Sequence, residues 1–368
     1  MKSFIILAFI LGIGFYFYSW TFLITLLVIS FLIFFHELGH FLTAKSLGVK
    51  VEIFSIGFGK ALLEREFKGT RYRLSALPFG GFVKLKGQDD LKPSLEVYEK
   101  DSYTCLKPLQ KIYILFAGPF FNIFLAFLLF IIIGFLGISK PAPIIAGFSD
   151  ESLAQSAGLK INDKILAING TKISSFDEIA PLINADKLRI LIERSGQKLE
   201  FIVPTYTGVA LNDFGQSISK PLLGVRGSSQ RVLVYHTGLD NLNYALKESA
   251  NTATLIFKGI VKLLVGDIEA KNLGGVISIV DITSKASAMS LSTLLFITAL
   301  ISINLGVLNL LPVPMLDGGH ILFNLYELIF RRKVPPKAFE YLSYGGMALL
   351  LSLMIFATYN DIVRFSQQ

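Results

Sequence analysis

Only one cysteine, Cys105, stands in the chain. No intrachain disulfide can staple the fold, and no thiolate cluster can supply a metal site. Charge is scarce as well: 17% of the 368 residues carry it, against 52% that are hydrophobic. That balance lies outside the usual range of soluble proteins and fits an integral membrane protein with water-exposed parts. No long low-complexity tract and no solenoid period is present. Histidine is rare too, with four residues in all, so the candidates for an imidazole site can be enumerated.

The formal net charge is +8, and its placement decides its meaning. Thirteen Lys and Arg lie between Lys45 and Lys111, beside apolar segments, as a cytoplasmic loop requires under the positive-inside rule. No recognition motif accompanies the charge, so nucleic acid is not an expected partner.

From Phe4 to Phe35 the chain is almost uninterrupted apolar sequence, about 48 Å as a helix against a hydrocarbon core of about 30 Å. Tyr16, Tyr18 and Trp20 place an interface within it. The reading is a short extra apolar helix over 1–18 and a first span over 19–48. Lys2 and the apolar run imitate a signal peptide without a clear small-residue cleavage site, so retention is expected. A second span covers 111–139 and carries Gly118-Pro119 and Asn122. The third region, 290–330, holds a span to about Leu311, broken by Pro312 and Pro314. A basic loop, Arg331-Arg332-Lys333, and a last span near 345–359 complete 331–368. Four principal spans put both basic clusters on one side of the membrane and the 142–285 domain on the other.

Residues 49–110 contain β-like runs, Val51 to Phe58 and Tyr72 to Leu85, separated by glycines. Non-helical backbone at membrane depth survives where protein covers it or a wet cavity is lined by it. Residues 140–226 read as a water-exposed domain, with strands at Ile165–Ile168, Leu188–Glu193 and Leu199–Val203 and turns at Asn169-Gly170 and Ser195-Gly196. A helical region follows over 227–289, amphipathic around Leu255 to Leu264 and docked on the domain or on the bilayer surface.

His36-Glu37-Leu38-Gly39-His40 ends the first apolar run. Two histidines four apart project from one helix face and can share a tetrahedral zinc. Glu37 stands where a metalloprotease needs its general base. Ionisable groups are costly inside an apolar segment, which favours a functional reading over helix-end histidines satisfied by backbone. A catalytic zinc needs a third protein ligand and an open position. His236 falls in the water-exposed region, on the far side of the membrane. Asp317 and His320 fall at the matching depth, and Asp317 follows a Pro-interrupted segment that frees backbone to aim a carboxylate. Asp317 is the expected third ligand, with His320 the substitute. Asn122 can be an interhelical hydrogen-bonding residue and nothing more.

His36 to His40, taken with Asn309-Leu310-Leu311-Pro312-Val313-Pro314-Met315-Leu316-Asp317-Gly318-Gly319, resembles the site-2 protease family of intramembrane zinc metalloproteases. The similarity is greatest to the bacterial regulator-of-sigma-E protease branch. Phe54 to Lys60, Ala117 to Asn122 and Asn304-Leu305-Gly306 agree with it as well. The resemblance implies one zinc per chain on His36, His40 and Asp317, with Glu37 activating the attacking water. Asn304 and Asn309 would lie beside bound substrate. A membrane-associated β-hairpin structure around Gly57 to Lys86, with Gly57 and Gly59 among its substrate-binding residues, would pair an extended substrate along its edge. Ser156 to Gly170 is similar to the bacterial PDZ pattern, with Asn162-Asp163 where Gly-Asp usually stands, and only one copy is evident. The implied fold is a polytopic α-helical membrane protein of about four spans, with a membrane-associated β-hairpin after the first and an inserted extracytoplasmic α+β PDZ domain. The implied activity is regulated intramembrane proteolysis in the bacterial inner membrane, with the active site toward the cytoplasm and the PDZ domain periplasmic. Its substrates would be single-span proteins already trimmed by another protease, such as an anti-sigma factor or a remnant signal peptide. The rival reading is a membrane scaffold or transporter that uses zinc structurally, with PDZ as its interaction module.

Overall fold

A computed structural model describes residues 2–88, 98–212 and 214–367. Four helices are long and apolar enough to cross a membrane, over Leu11–Ser46, Pro108–Leu136, Leu291–Asn309 and Pro336–Ser366. Together with the strands below, they make this a polytopic membrane protein with a β-containing part. The chain divides into two units, residues 132–244 and the two flanking segments 1–131 and 245–368.

In the flanking unit, α1 runs Lys2–Ser46 and is broken at Ser19, whose φ of 52° and ψ of −140° are not helical. Thr21 Oγ1 donates to the Tyr18 carbonyl at 2.5 Å, occupying an acceptor at the break. The kink falls between Tyr18 and Trp20, so α1 is two helices joined at Ser19. β1 (Val51–Phe67) and β2 (Thr70–Leu85) then form a hairpin longer than the two β-like runs suggest. Its pairing doubles back. Ile53 to Ile56 pair with Arg71 to Leu74 on one side and with Gly81 to Lys84 on the other, while Leu63 to Phe67 pair with Thr70 to Leu74. The result is a curled four-segment sheet in which residues 81–85 form one edge. Beyond it, Lys86 Nζ donates to Glu99 at 2.5 Å and Asp101 at 2.7 Å. The Lys86 hydrogen bond holds the Asp101 carboxyl below its ordinary range. α2 (Pro108–Leu136) follows as the second span.

The unit of residues 132–244 is built on β3 (Ile138–Pro141), β4 (Ile145–Phe148), β5 (Lys164–Ile168), β6 (Thr171–Lys172), β7 (Lys187–Arg194), β8 (Gln197–Pro204), β9 (Tyr206–Leu211), β10 (Ser217–Leu222), β11 (Val225–Gly227) and β12 (Arg231–Val234). The largest sheet has the order β6-β5-β7-β8, and the rest are two-stranded ribbons. Leu188, Ile190 and Ile192 are buried at every second position of β7, as a strand with one face on the core demands. They pack with Ile145, Ile165, Ile168 and Val203. The turns at Asn169-Gly170 and Ser195-Gly196 have positive φ at both residues, the geometry that closes tight hairpins.

α3 (Gly238–Leu264) leaves that unit, and α4 (Val276–Met289), α5 (Leu291–Asn309), α6 (Asp317–Phe330) and α7 (Pro336–Ser366) complete the chain. The helical region thus divides at 265–275 rather than running on. α4 packs on α1 and α5, with Thr21 hydrogen-bonded to Ser284. Between α5 and α6 the prolines Pro312 and Pro314 cannot continue the helix, and Met315 takes a φ of 77°. The backbone folds back so tightly that a Cβ on Gly318 would sit 2.3 Å from the carbonyl oxygens of Leu310 and Leu311. Glycine is required there, and the reversal makes Asp317 the first residue of α6.

Candidate metal centre

His36 and His40 lie one helical turn apart near the end of α1, 8% and 9% exposed. Their Nε2 atoms are 3.2 Å apart. From the start of α6, Asp317 brings Oδ2 to 3.2 Å from His36 Nε2 and Oδ1 to 3.5 Å from His40 Nε2. These three residues form the one His/Cys/Asp/Glu group among the described residues with the spacing of a metal site. Asp317 Oδ2 is buried without a hydrogen-bond partner among the described residues, an arrangement that costs energy unless a cation or donor completes it.

The spacing can be checked against the ion. Bonds of about 2.0–2.1 Å at tetrahedral angles put ligand atoms roughly 3.3–3.4 Å apart. The observed separations bracket that value. Two imidazoles and one carboxylate are also a donor set that zinc accepts with a fourth position left open. The residues present fit the metal.

α2 supports this group from behind. His40 Nδ1 lies 2.8 Å from the Ile114 carbonyl, which fixes the proton on Nδ1 and frees Nε2. His36 Nδ1 lies 3.1 Å from the Asn122 side-chain amide. Between them, a Cβ on Gly118 would come 2.3 Å from His40 Nε2 and 2.9 Å from the His36 ring. Gly39 meets α2 as closely, since its Cβ would fall 2.3 Å from the Ala117 carbonyl oxygen. Two helices therefore touch backbone to backbone where the histidines sit, through the small residues of both motifs.

Glu37 follows His36, and the backbone of Val83 in β2 lies beside its carboxylate. A Cβ on Gly81 would lie 3.3 Å from Glu37 Cγ and 3.1 Å from an Ile33 methyl. The sheet edge of residues 81–85 thus passes directly over the glutamate.

The other expected residues divide. His320 contacts the rings of Phe323 and Phe339 and stands outside the metal group. Asn304 and Asn309 are half-buried on α5, with no side-chain hydrogen bond among the described residues. Gly57 is buried in β1 at a φ of 87°, where a Cβ would meet the Leu77 carbonyl at 2.7 Å, and Gly59 is exposed at a φ of 86°. His236 pairs with Asp240 at 2.7 Å and stacks on Tyr244. The Ile114 carbonyl is a contributor that no side-chain pattern could announce. Gly118 and Asn122 had a signal, a Gly-Pro and an asparagine inside a span.

Comparison with known proteins agrees with this geometry. A protein of Campylobacter jejuni named as a presumed zinc metalloprotease is 65% identical over 364 residues, covering 99% of each chain. A Helicobacter pylori protein of the same description is 38% identical over 349 residues, 93% of this chain and 99% of that one. One from Clostridium perfringens is 32% identical over 351 residues, 92% and 97%. Residues 24–353 match the profile of peptidase family M50, a span that includes the HExxH pair, the α2 glycine and Asp317. The chain belongs to peptidase family M50.

Proposed function

We propose that this protein is a zinc-dependent endopeptidase that hydrolyses peptide bonds within transmembrane segments of other proteins. The observation that carries the reading is the convergence of His36, His40 and Asp317, with Glu37 beside them, at the end of an apolar helix. His36 Nε2, His40 Nε2 and the Asp317 carboxylate would hold the ion. Bound there, zinc supplies Lewis acidity that polarises a scissile carbonyl and makes water acidic enough to ionise near neutral pH. Glu37 takes the proton of the attacking water and returns it to the leaving amine.

A transmembrane substrate must unwind before it is cut, which releases backbone groups that lipid cannot satisfy. The edge of residues 81–85 beside Glu37 offers partners to an extended strand, and Gly57 and Gly59 shape the same sheet. Asn304 and Asn309, without side-chain hydrogen bonds among the described residues, suit hydrogen bonds to that strand. For the unit of residues 132–244 we read a PDZ domain. Asn162, at a φ of 74°, occupies the position where the pattern has glycine, and asparagine tolerates that conformation. In this reading the enzyme is a bacterial inner-membrane protein with its zinc toward the cytoplasm, and it performs regulated intramembrane proteolysis on pre-trimmed single-span substrates.

A scaffold with structural zinc would close the site with a fourth protein ligand. The group here has three members and a glutamate that a structural site does not need. Glu37→Gln separates the readings: the purified variant should keep one zinc per chain and lose cleavage of a reconstituted single-span substrate. Undiminished cleavage by that variant would defeat the mechanism.

A further inference from the structure

Asn122 is fully buried in α2, and its neighbours do not account for it as helix-packing glue. The contact between α2 and α5 here runs through its backbone, since Ser302 Oγ donates to the Asn122 carbonyl at 2.7 Å. The side chain instead faces His36 Nδ1 at 3.1 Å through its amide nitrogen, while Oδ1 is buried with no partner among the described residues.

Ligation through His36 Nε2 settles which end of the amide belongs at the ring. With the lone pair of Nε2 given to the ion, the imidazole proton sits on Nδ1. The amide nitrogen facing that N–H would set two donors against each other and leave the buried oxygen orphaned. The two ends of a carboxamide have nearly the same shape, and a half-turn about its last torsion brings Oδ1 onto Nδ1–H. One rotation satisfies both groups. It also completes a ladder on one face of α2: Ile114, Gly118 and Asn122, four residues apart, meet His40, both rings, and His36 in turn.

We infer that Asn122 is the positioning residue of His36, accepting the Nδ1 proton through Oδ1 so that Nε2 is presented to zinc. The inference rests on the zinc reading of the preceding section. Asn122 does for His36 through a side chain what the Ile114 carbonyl does for His40. Of the two supports, Asn122 alone can be altered by substitution.

The test compares Asn122→Leu, which keeps the size and removes the acceptor, with Asn122→Asp, which keeps an acceptor. Zinc affinity is measured on the full-length protein in detergent by competition with a chromogenic chelator. Loss of an outer partner of a metal-bound histidine costs about 10–100-fold in affinity, so Asn122→Leu should raise the zinc Kd by that factor and Asn122→Asp should restore it. The proton itself is read on the zinc-loaded wild type by nitrogen-15 NMR of the imidazoles, with His36 assigned through His36→Gln. A slowly exchanging Nδ1–H on His36 is expected, and exchange should speed up in Asn122→Leu. Stoichiometric zinc in the wild type with an unchanged Kd in Asn122→Leu overturns this role and leaves the metal centre standing. A wild type that takes up no zinc overturns both. Equal weakness of the Leu and Asp variants, with both folded by thermal melting, also overturns it.

Discussion

Gly118 of α2 touches the rings of both histidines, so that a Cβ there would lie 2.3 Å from His40 Nε2. The neighbour cannot yield cheaply, because His40 is held from its other side by the Ile114 carbonyl at 2.8 Å. Gly118→Ala should therefore push His40 off its position and lower zinc affinity by about tenfold or more, the scale set by misplaced metal ligands. Gly345→Ala is the control, since a Cβ there meets nothing within 4 Å. Equal zinc content in the two alanine variants would show that the contact yields without cost.

Asp317 and His320 are the two candidates for third ligand, and they are placed differently. Asp317 reaches both Nε2 atoms, whereas His320 is engaged with Phe323 and Phe339. Metal analysis of purified Asp317→Ala should find zinc occupancy sharply reduced. His320→Ala should retain it. The opposite pattern would require α6 to turn its other face to the site.

How much of this could be read from the sequence depended on whether a side chain or a backbone carried the information. The HExxH pair at the end of an apolar run, and Asp317 after two prolines, were legible because helix period and proline are local rules. So were the turns at Asn169-Gly170 and Ser195-Gly196, which need residues that tolerate positive φ. The doubling of β1 against two segments of β2 was not legible, because register depends on which edge meets which, and glycine-rich strands specify it weakly. The short strands β3, β4, β11 and β12 were missed for a related reason. Residues 138–148 pair with residues 225–234, and no local pattern marks a pairing between segments so far apart in the chain. The Gly274-Gly275 step is a similar case, because its partner, Asp361, stands far along the chain on α7.

That step is where α4 begins, and α7 caps it from outside. Asp361, fully buried, accepts hydrogen bonds from the backbone N–H groups of Gly275 and Ser278 at 3.0 Å and from the Ser278 hydroxyl. A Cβ on Gly275 would lie 2.8 Å from Asp361 Oδ2, so glycine admits the carboxylate. α4 has no side-chain cap of its own. Asp361→Ala leaves those donors buried and unpaired, at a cost of about 2–3 kcal/mol. Hydrogen exchange at residues 275–280 should accelerate while zinc content stays constant. Unaltered protection there would mean that water replaces the carboxylate.

The last expectation concerns the unit of residues 132–244, where one ion pair closes on a buried carboxylate. Asp163 is 1% exposed. It receives Nε and one terminal nitrogen of Arg194 at 2.7 Å each, as well as the backbone N–H of Lys160. The same guanidinium donates to the Gly158 carbonyl and lies over the Phe201 ring. The pair thus ties the loop of residues 158–163 to the end of β7. Arg194→Met removes the cation and strands a buried carboxylate, which costs about 3 kcal/mol. Arg194→Met with Asp163→Asn should recover part of that loss, because the uncompensated charge is gone. Limited proteolysis should report the order wild type, double variant, single variant, cleaved increasingly fast within 132–244. Zinc content should be the same in all three. A single variant as resistant as the wild type would show that the Lys160 N–H alone suffices to hold Asp163.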